Sequence, residues 1–390
     1  MKNPQNIDEL YIFDYDFNFL CNIKEFKKLE WSEKIFEADS FTLELEFKKE
    51  RNTRTAEYNY YKTLYNAIVG SNRYYDNEQK KYKSGFYYPR FIITNADSGL
   101  TPIAYIQSYK FTDEGTLEIK GEGFLQFLEK RYTIKKEYIP TDENNDKCGR
   151  VMCRIINDNN NNSQTNFMPF FVANEYDNDN GEEIYVSCER KDTLYKKLKT
   201  LSEAYEVGMR TLYHPEEKKI YFKTIKYPKK DLQDLRVLSE DDDNVVSIAM
   251  EVDIDKYRNY VLVEGEENVI IDIRQDKEKE PALELVIQSN KKRGSKTLEQ
   301  YKKILEAEGR EKLSKYLMEE AFDIEPTQDV KVDLGEYVLC KLDLGYETIY
   351  KQLLVSEITH TIENGKYTRE VAFGKPFGLI NELQNKILEE

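Results

Sequence analysis

The sequence predicts a β-rich α+β protein, with strand-dominated outer thirds and a small α+β subdomain inserted between them. Three observations lead there. In the first third apolar residues recur at every second position, as in Phe41-Thr-Leu-Glu-Leu-Glu-Phe47, the mark of a strand with one face in water. In the middle third the spacing becomes helical between Asp192 and Tyr205. In the last third short strand patterns return, at 244–252, 260–264, 269–274 and 283–288. A chain of 390 residues has room for two or three domains.

The remaining elements follow in order. Residues 90–94 form a second strand, and 95–99 supply turn residues. Residues 102–111 are a strand, 113–115 turn, and 116–120 return, which makes an antiparallel meander. Gly121-Glu-Gly123 opens a short helix with Phe124, Leu125, Phe127 and Leu128 on its apolar side. Residues 52–84, rich in Tyr and charge, are an insertion whose periodicity leaves its structure open. The Asn-rich run 157–162 is expected to be a mobile loop, and 174–183 is a second polar stretch, with an apolar strand at 167–173 between them. Asp192 is placed to cap a helix carrying Leu194, Leu198 and Leu201, and Gly208 to close it. Residues 209–213 and 219–224 form a hairpin. Thr297-Leu-Glu-Gln300 fits a capping box, and the helix it opens is expected to run over 297–322 with Pro326 as its stop. Strands resume at 335–341, 351–362 and 366–373, and an amphipathic helix ends the chain. The domain reading is therefore 1–135 with the insertion 52–84, then 136–235 as the inserted α+β subdomain, then 236–376, then the helix 377–390. One internal echo stands out. Leu117-Glu-Ile-Lys-Gly-Glu122 and Val261-Leu-Val-Glu-Gly-Glu266 share a strand followed by Gly-Glu, compatible with two related β-barrels in the outer thirds.

Composition excludes several functions. The formal net charge of −15 argues against a protein built to grip nucleic-acid phosphates. Aromatic residues at 13%, with 30 Tyr and 19 Phe, suffice for folded cores. No run of about 18 apolar residues marks a membrane helix, and the polar first ten residues lack the pattern of a signal peptide. A cytosol-like site of synthesis is the expectation, and five irregularly spaced cysteines agree with it.

Candidate chemistry is sparse. Two histidines, His214 and His360, leave little for triad or metal sites. Cys148 and Cys153, with Cys188 as a loose third, are better read as ordinary thiols than as zinc ligands. Asp14, Asp16 and Asn18 with Glu25 imitate a calcium loop, but Phe19 stands where its sharp turn needs glycine, so a hairpin is favoured. Asp177, Asp179 and Gly181 form a second acidic turn, read as solvated. Glu240-Asp-Asp-Asp243 is read as a solvated loop. No phosphate loop, nucleophile elbow or dinucleotide turn occurs. No catalytic, cofactor or metal residue is assigned, and the expectation is a protein that is not an enzyme.

A family resemblance sharpens this. Its pieces are Leu10-Tyr-Ile-Phe-Asp14, Phe17-Asn18, Leu29-Glu-Trp31, Phe41-Thr-Leu-Glu-Leu45, Phe91-Ile-Ile-Thr94 with Ile103-Ala-Tyr-Ile106, and Leu117-Glu-Ile-Lys-Gly121 leading to Leu128-Glu-Lys-Arg131. They continue with Leu238-Ser-Glu-Asp-Asp-Asp-Asn244, Tyr257-Arg-Asn-Tyr-Val-Leu-Val263, Gly265-Glu266, Val332-Asp-Leu-Gly-Glu-Tyr-Val338 and Phe373-Gly374. In this order they resemble the ReqiPepy-type tail-protein family of phage tail and baseplate hubs, with Glu336 where that family usually has Asp. The resemblance implies two tube-type β-barrel domains per chain and a homotrimer at the distal end of the tail tube. Such a ring adapts the sixfold tube to a threefold tail tip or spike. It implies contacts with tube or distal tail proteins, tail-tip or spike proteins and other baseplate subunits, in a virion assembled in the host cytoplasm. DNA would pass the lumen without specific binding, for which an acidic wall is suited. Two alternatives remain. A peptidoglycan-hydrolysing tail-tip enzyme finds no room for its domain after Phe373-Gly374, and a receptor- or carbohydrate-binding tail protein is consistent with the abundant Tyr.

Overall fold

The computed structural model describes residues 10–46, 55–69, 73–76, 81–84, 90–94, 101–112, 115–139, 147–161, 168, 170–225, 235–253, 255–274, 281–316, 319–327 and 330–374. Within them one five-stranded arrangement occurs twice. The first repeat comprises Lys28–Lys34, Ser40–Glu46, Phe91–Thr94, Thr101–Phe111 and Thr116–Gly123. The second comprises Val245–Asp253, Glu319–Pro326, Tyr337–Asp343, Thr348–Glu363 and Lys366–Gly374. In both, the spatial order is first, second, fifth, fourth, third, with every neighbour antiparallel. An upstream strand lies on each third strand, Leu10–Phe13 antiparallel in the first repeat and Arg236–Ser239 parallel in the second.

The registers coincide. In the fourth strands, Tyr105 faces Phe91 and Leu354 faces Tyr337, the first residue of each third strand. Two residues on, both fourth strands bulge, at Gln107 and at Ser356. Just before the bulge, Ile106 N donates to Arg90 O at 2.8 Å and Val355 N to Glu336 O at 2.9 Å. The duplication is thus real, but the echo between 117–122 and 261–266 mislocates it. Residues 260–264 form a strand of an inserted sheet, and the counterpart of Thr116–Gly123 is Lys366–Gly374. The two strands share register rather than side chains. Gly121 occupies the place of Phe373, because a Cβ at 121 would come 2.4 Å from the Tyr105 carbonyl oxygen.

The repeats differ in what interrupts them. The first carries the helix Ala56–Val69 and the hairpin Arg73–Asp76/Lys81–Ser84 between its second and third strands. This answers the open question over 52–84 for the residues described there. The second repeat carries a three-stranded sheet, Tyr260–Glu264 between Ile270–Arg274 and Glu284–Gln288, and the helix Leu298–Leu313. Thr297 and Gln300 make the expected reciprocal capping box. That helix is shorter than 297–322, since Glu319–Pro326 is a strand paired to Val245–Asp253.

No barrel closes among the described residues, against the expectation of two barrels. The first repeat's arc runs from Phe19–Ile23 round to Lys28–Lys34. Its open end is then taken by the other repeat. Thr348–Glu363 pairs with Tyr337–Asp343 over residues 348–354 and, past its bulge, with Lys28–Lys34 over 357–363. The two arcs and the middle hairpin therefore form one 16-stranded sheet.

The middle subdomain packs helices Cys148–Asn160 and Leu194–Ala204 against the hairpin Gly208–His214/Lys219–Ile225. Several local expectations are corrected here. Residues 157–160 of the Asn run end a helix, and Asn157, Asn159 and Asn160 donate to the carbonyls of Ala173, Tyr132 and Phe171, so their amides replace missing backbone partners. The strand expected at 167–173 is reduced to Phe171–Val172 among the described residues. Thr193, not Asp192, caps the next helix by accepting from Lys196 N at 3.2 Å. Gly208 starts a strand, and Glu206, at φ 51°, makes the left-handed turn after that helix. The turn at 95–99 and the helix at 377–390 lie outside the described residues.

The middle subdomain is tied to the second repeat by charge. Lys197, 6% exposed, reaches from its helix to Glu311 on Leu298–Leu313, with Nζ–O distances of 2.7 and 2.9 Å. Burial opposes the ammonium charge, yet Glu311 together with Cys188 and Asp192 outweighs it and holds Lys197 above its ordinary pKa. Glu311→Gln leaves that buried charge uncompensated. It is expected to cost about 3–5 kcal/mol, read as a lowered midpoint in urea unfolding.

Candidate functional site

The acidic and thiol clusters weighed from the sequence are bonded or buried as follows. Asp14 Oδ1 accepts from the backbone N–H of Asp16 and of Asn18, both at 2.9 Å, closing the turn between Leu10–Phe13 and Phe19–Ile23. Phe17, at φ 56°, is driven inward to stack on Phe91 and Tyr213 with centroids 5.1 and 4.8 Å away. The Asp14 turn is thus a hairpin turn spending its carboxylate on its own backbone. Asp179 is held by Lys147 and Arg150 at 2.9 and 2.8 Å, and these cations lower its pKa. Asp177 pairs with Lys223. Cys148 and Cys153 are buried in one helix, where burial pushes both thiols up, and burial raises Cys188 to about 12. Asp241 of the acidic block pairs with Lys341 at 2.6 Å. His214 Nδ1 accepts from Glu217 N at 3.3 Å at a hairpin tip. Among the described residues no three His, Cys, Asp or Glu converge as a cation site.

What the fold does build is an interface between β-edges. The join between repeats has seven antiparallel residue pairs, from Lys28↔Glu363 to Lys34↔Glu357. Its side chains are specific. Trp31, 3% exposed, lies opposite His360 and meets Phe41 edge-on at 5.3 Å. Ser32 Oγ donates to the Glu357 carboxylate, and Lys34 lies 3.4 Å from it. The middle hairpin grips the same place. Met209 N donates to Ile35 O at 2.9 Å, and Arg210 pairs with Glu33 at 2.9 Å. Asp39 accepts from Lys34 N, and burial raises its carboxyl to about 7, with Arg210 opposing and Glu33 adding to the rise. His360 Nδ1 is 2.8 Å from the Tyr367 hydroxyl, and burial lowers its pKa, with Glu33 opposing and Arg369 reinforcing.

Several strand edges, that of Phe19–Ile23 included, have no strand against them among the described residues, and two of them carry exposed apolar side chains on the large sheet. One is the outer edge of Val245–Asp253, the end of the sheet, with Val246 61% and Met250 38% exposed. The other is the outer edge of Thr101–Phe111 beyond its bulge. There 107–111 are exposed without interruption, including Tyr109 and Phe111, although Phe111 also rests against Tyr65 at 5.6 Å. Sequence reading missed these edges.

Comparison with known proteins follows from this architecture. A family profile described as Siphovirus ReqiPepy6 Gp37-like protein matches residues 9–375. Two similar solved structures are the 43 kDa tail protein of prophage MuSo2 from Shewanella oneidensis and a tail protein from Neisseria meningitidis MC58. Each has a TM-score of 0.51 at 11% identity, over 95% of this chain and 99% or 97% of the other. At that identity they show the fold. A search of curated protein sequences finds no match. No helix among the described residues is long and apolar enough to cross a membrane.

The His360 environment sets a pH test of the join. Its folded pKa lies below its unfolded value of about 6.5, so the unfolded chain binds the proton first and stability falls as pH drops through that value. Wild type is expected to lose stability relative to His360→Phe between pH 7.5 and 5, measured as the difference in unfolding midpoints. An offset that is constant with pH would count against a neutral, buried His360.

Proposed function

The chain belongs to the Siphovirus ReqiPepy6 Gp37-like family of phage tail proteins, and from that premise we propose that it is a hub at the distal end of the tail tube. In this reading three chains form a ring. Each repeat acts as one tube-type unit, so three chains offer six similar units to a sixfold tube and three identical faces to a threefold tip or spike. The units are 1–135 and 236–376, and 136–235 is the insert between them. The single observation that carries the reading is the repeat itself: five strands in one order and register, twice, joined edge to edge. A duplicated unit already joined to its twin is half of a pseudo-symmetric pair, and repeating the join generates a ring if the rotation closes.

The proposed role is structural and not enzymatic. The acids weighed for binding are engaged in turns and ion pairs, as described for Asp14, Asp177, Asp179 and Asp241. The partners are tube or distal tail proteins on one side, tail-tip or spike proteins on the other, and neighbouring baseplate subunits. The net charge of −15 suits a lumen through which DNA passes without sticking. The protein acts in the virion, after assembly in the host cytoplasm.

Electron microscopy of assembled tails tests this. A ring of three chains on the tail axis, with six similar sheet segments, is the expected result. A single copy beside the axis overturns the reading, and a lumen lined by basic residues overturns the part about DNA passage.

A further inference from the structure

A cleft of about 160 Å³ lies between the middle subdomain and the helix Leu298–Leu313 of the second repeat. We infer that it binds a small oxyanion carrying two or more negative charges, held by Lys196, Lys312 and Lys315. This goes beyond the hub reading and does not depend on it.

The cleft has a paired floor and an unpaired rim. On the floor, Lys197 spans to Glu311 with its Nζ 2.7 Å from one carboxylate oxygen. Lys291 Nζ lies 3.1 Å from Ser187 Oγ and 3.1 Å from Glu189. Lys191 takes the other oxygen of Glu189 at 2.8 Å, and Glu308 accepts from the Ser289 hydroxyl. Asp192, the remaining acid of the lining, adds to the field that keeps Lys197 charged. The acids of the cleft are thus engaged by its floor or by a serine. The rim is different. Lys196, Lys312 and Lys315 are exposed where they line the cleft and have no ion pair among the described residues. Lys315 acts only electrostatically on Glu203, whose own ion pair is with Lys199.

The buried pair beneath sets where the rim lysines stand. Lys196 adjoins Lys197 on one helix, and Lys312 adjoins Glu311 on the other. The Lys197–Glu311 bond therefore holds Lys196 and Lys312 on facing walls of one cleft. Lys315 follows Lys312 by three residues, about one turn, which keeps both on the same side. Like charges gathered in this way repel one another, and nothing in the lining is left to neutralise them. In a chain of net charge −15 this is a local excess of positive charge, and the group that relieves it is anionic. Lysines are point-charge donors of the kind that hold phosphate groups. Asn290 adds a neutral amide donor to the lining. The volume suits a small ion rather than a folded partner. Because the lysines come from both walls, a bound anion ties the middle subdomain to the second repeat, beside the bridges Lys197–Glu311 and Lys291–Glu189.

Titration calorimetry of the full-length protein with sodium pyrophosphate, at constant ionic strength, is the test. Saturable binding of one pyrophosphate per chain is expected. The double variant Lys196→Ala/Lys312→Ala is expected to weaken it by roughly tenfold or more, equivalent to about 1.4 kcal/mol. Lys110→Ala/Lys366→Ala removes the same charge from exposed positions outside the cleft and is expected to leave the affinity within about twofold. The rim lysines are exposed and unpaired, so both double variants are expected to keep the wild-type urea midpoint without pyrophosphate. With pyrophosphate present, the midpoint rises for wild type and for Lys110→Ala/Lys366→Ala only. Three results overturn the inference: no saturable binding, equal weakening in the two double variants, or an unchanged affinity in Lys196→Ala/Lys312→Ala. Each leaves the ring reading as it stands.

Discussion

The pairing of Lys28–Lys34 with residues 357–363 is the constraint on which the rest depends. It joins segments more than three hundred residues apart in the sequence. Its side chains then settle the environment around it. Trp31 and Ile358 are buried by it, Ser32 and Lys34 find Glu357 across it, and burial lowers the pKa of His360 beside Tyr367. By taking the outer edge of Lys28–Lys34, it also occupies the edge that the first arc would need in order to close.

The middle subdomain acts as a brace on this join. Its hairpin bonds to Ile35 and places Arg210 against Glu33, while its helix sends Lys197 to Glu311. Both cations are 6% exposed, and a buried charge is expensive unless its partner is held in place. The insert therefore touches both repeats through geometry-sensitive bonds, which favours one fixed arrangement of the two. The abundant aromatics have a local explanation in the same region. Phe17, Phe91, Phe124, Phe170 and Tyr213 form a stacked and edge-on cluster between the first repeat and the insert.

Much of the secondary structure was legible because its signals are local. Alternation located Ser40–Glu46 and Thr116–Gly123, helical spacing located Leu194–Ala204, and Thr297 with Gln300 located a helix start. The failures were places where long-range contacts override local signals. The Asn residues at 157–160 look like a loop until their amides find carbonyls on other segments. Residues 319–322 extend the helical pattern of the preceding segment, but Val245–Asp253 offers them an edge and they become strand. The echo of 117–122 in 261–266 points to a repeat but to the wrong segments, because the repeats agree in hydrogen-bond register while Gly121 and Phe373 share no side-chain chemistry.

By itself, the sequence determined the β-rich α+β class, the tail-family membership carried by ordered short segments, and a net charge of −15 ill suited to gripping nucleic-acid phosphates. These depend on composition and on patterns within a few residues. Tertiary structure alone decided that the two repeats share one sheet and which edges have no strand beside them among the described residues. It also decided that Asp14 bonds to its own turn, that Asp179 lies between Lys147 and Arg150, and that the cysteines are buried. The physical reason is that a strand's pattern tells which of its faces is wet, whereas the partner on each edge is chosen by backbone bonds common to all residues and becomes visible only when the distant strand is in place.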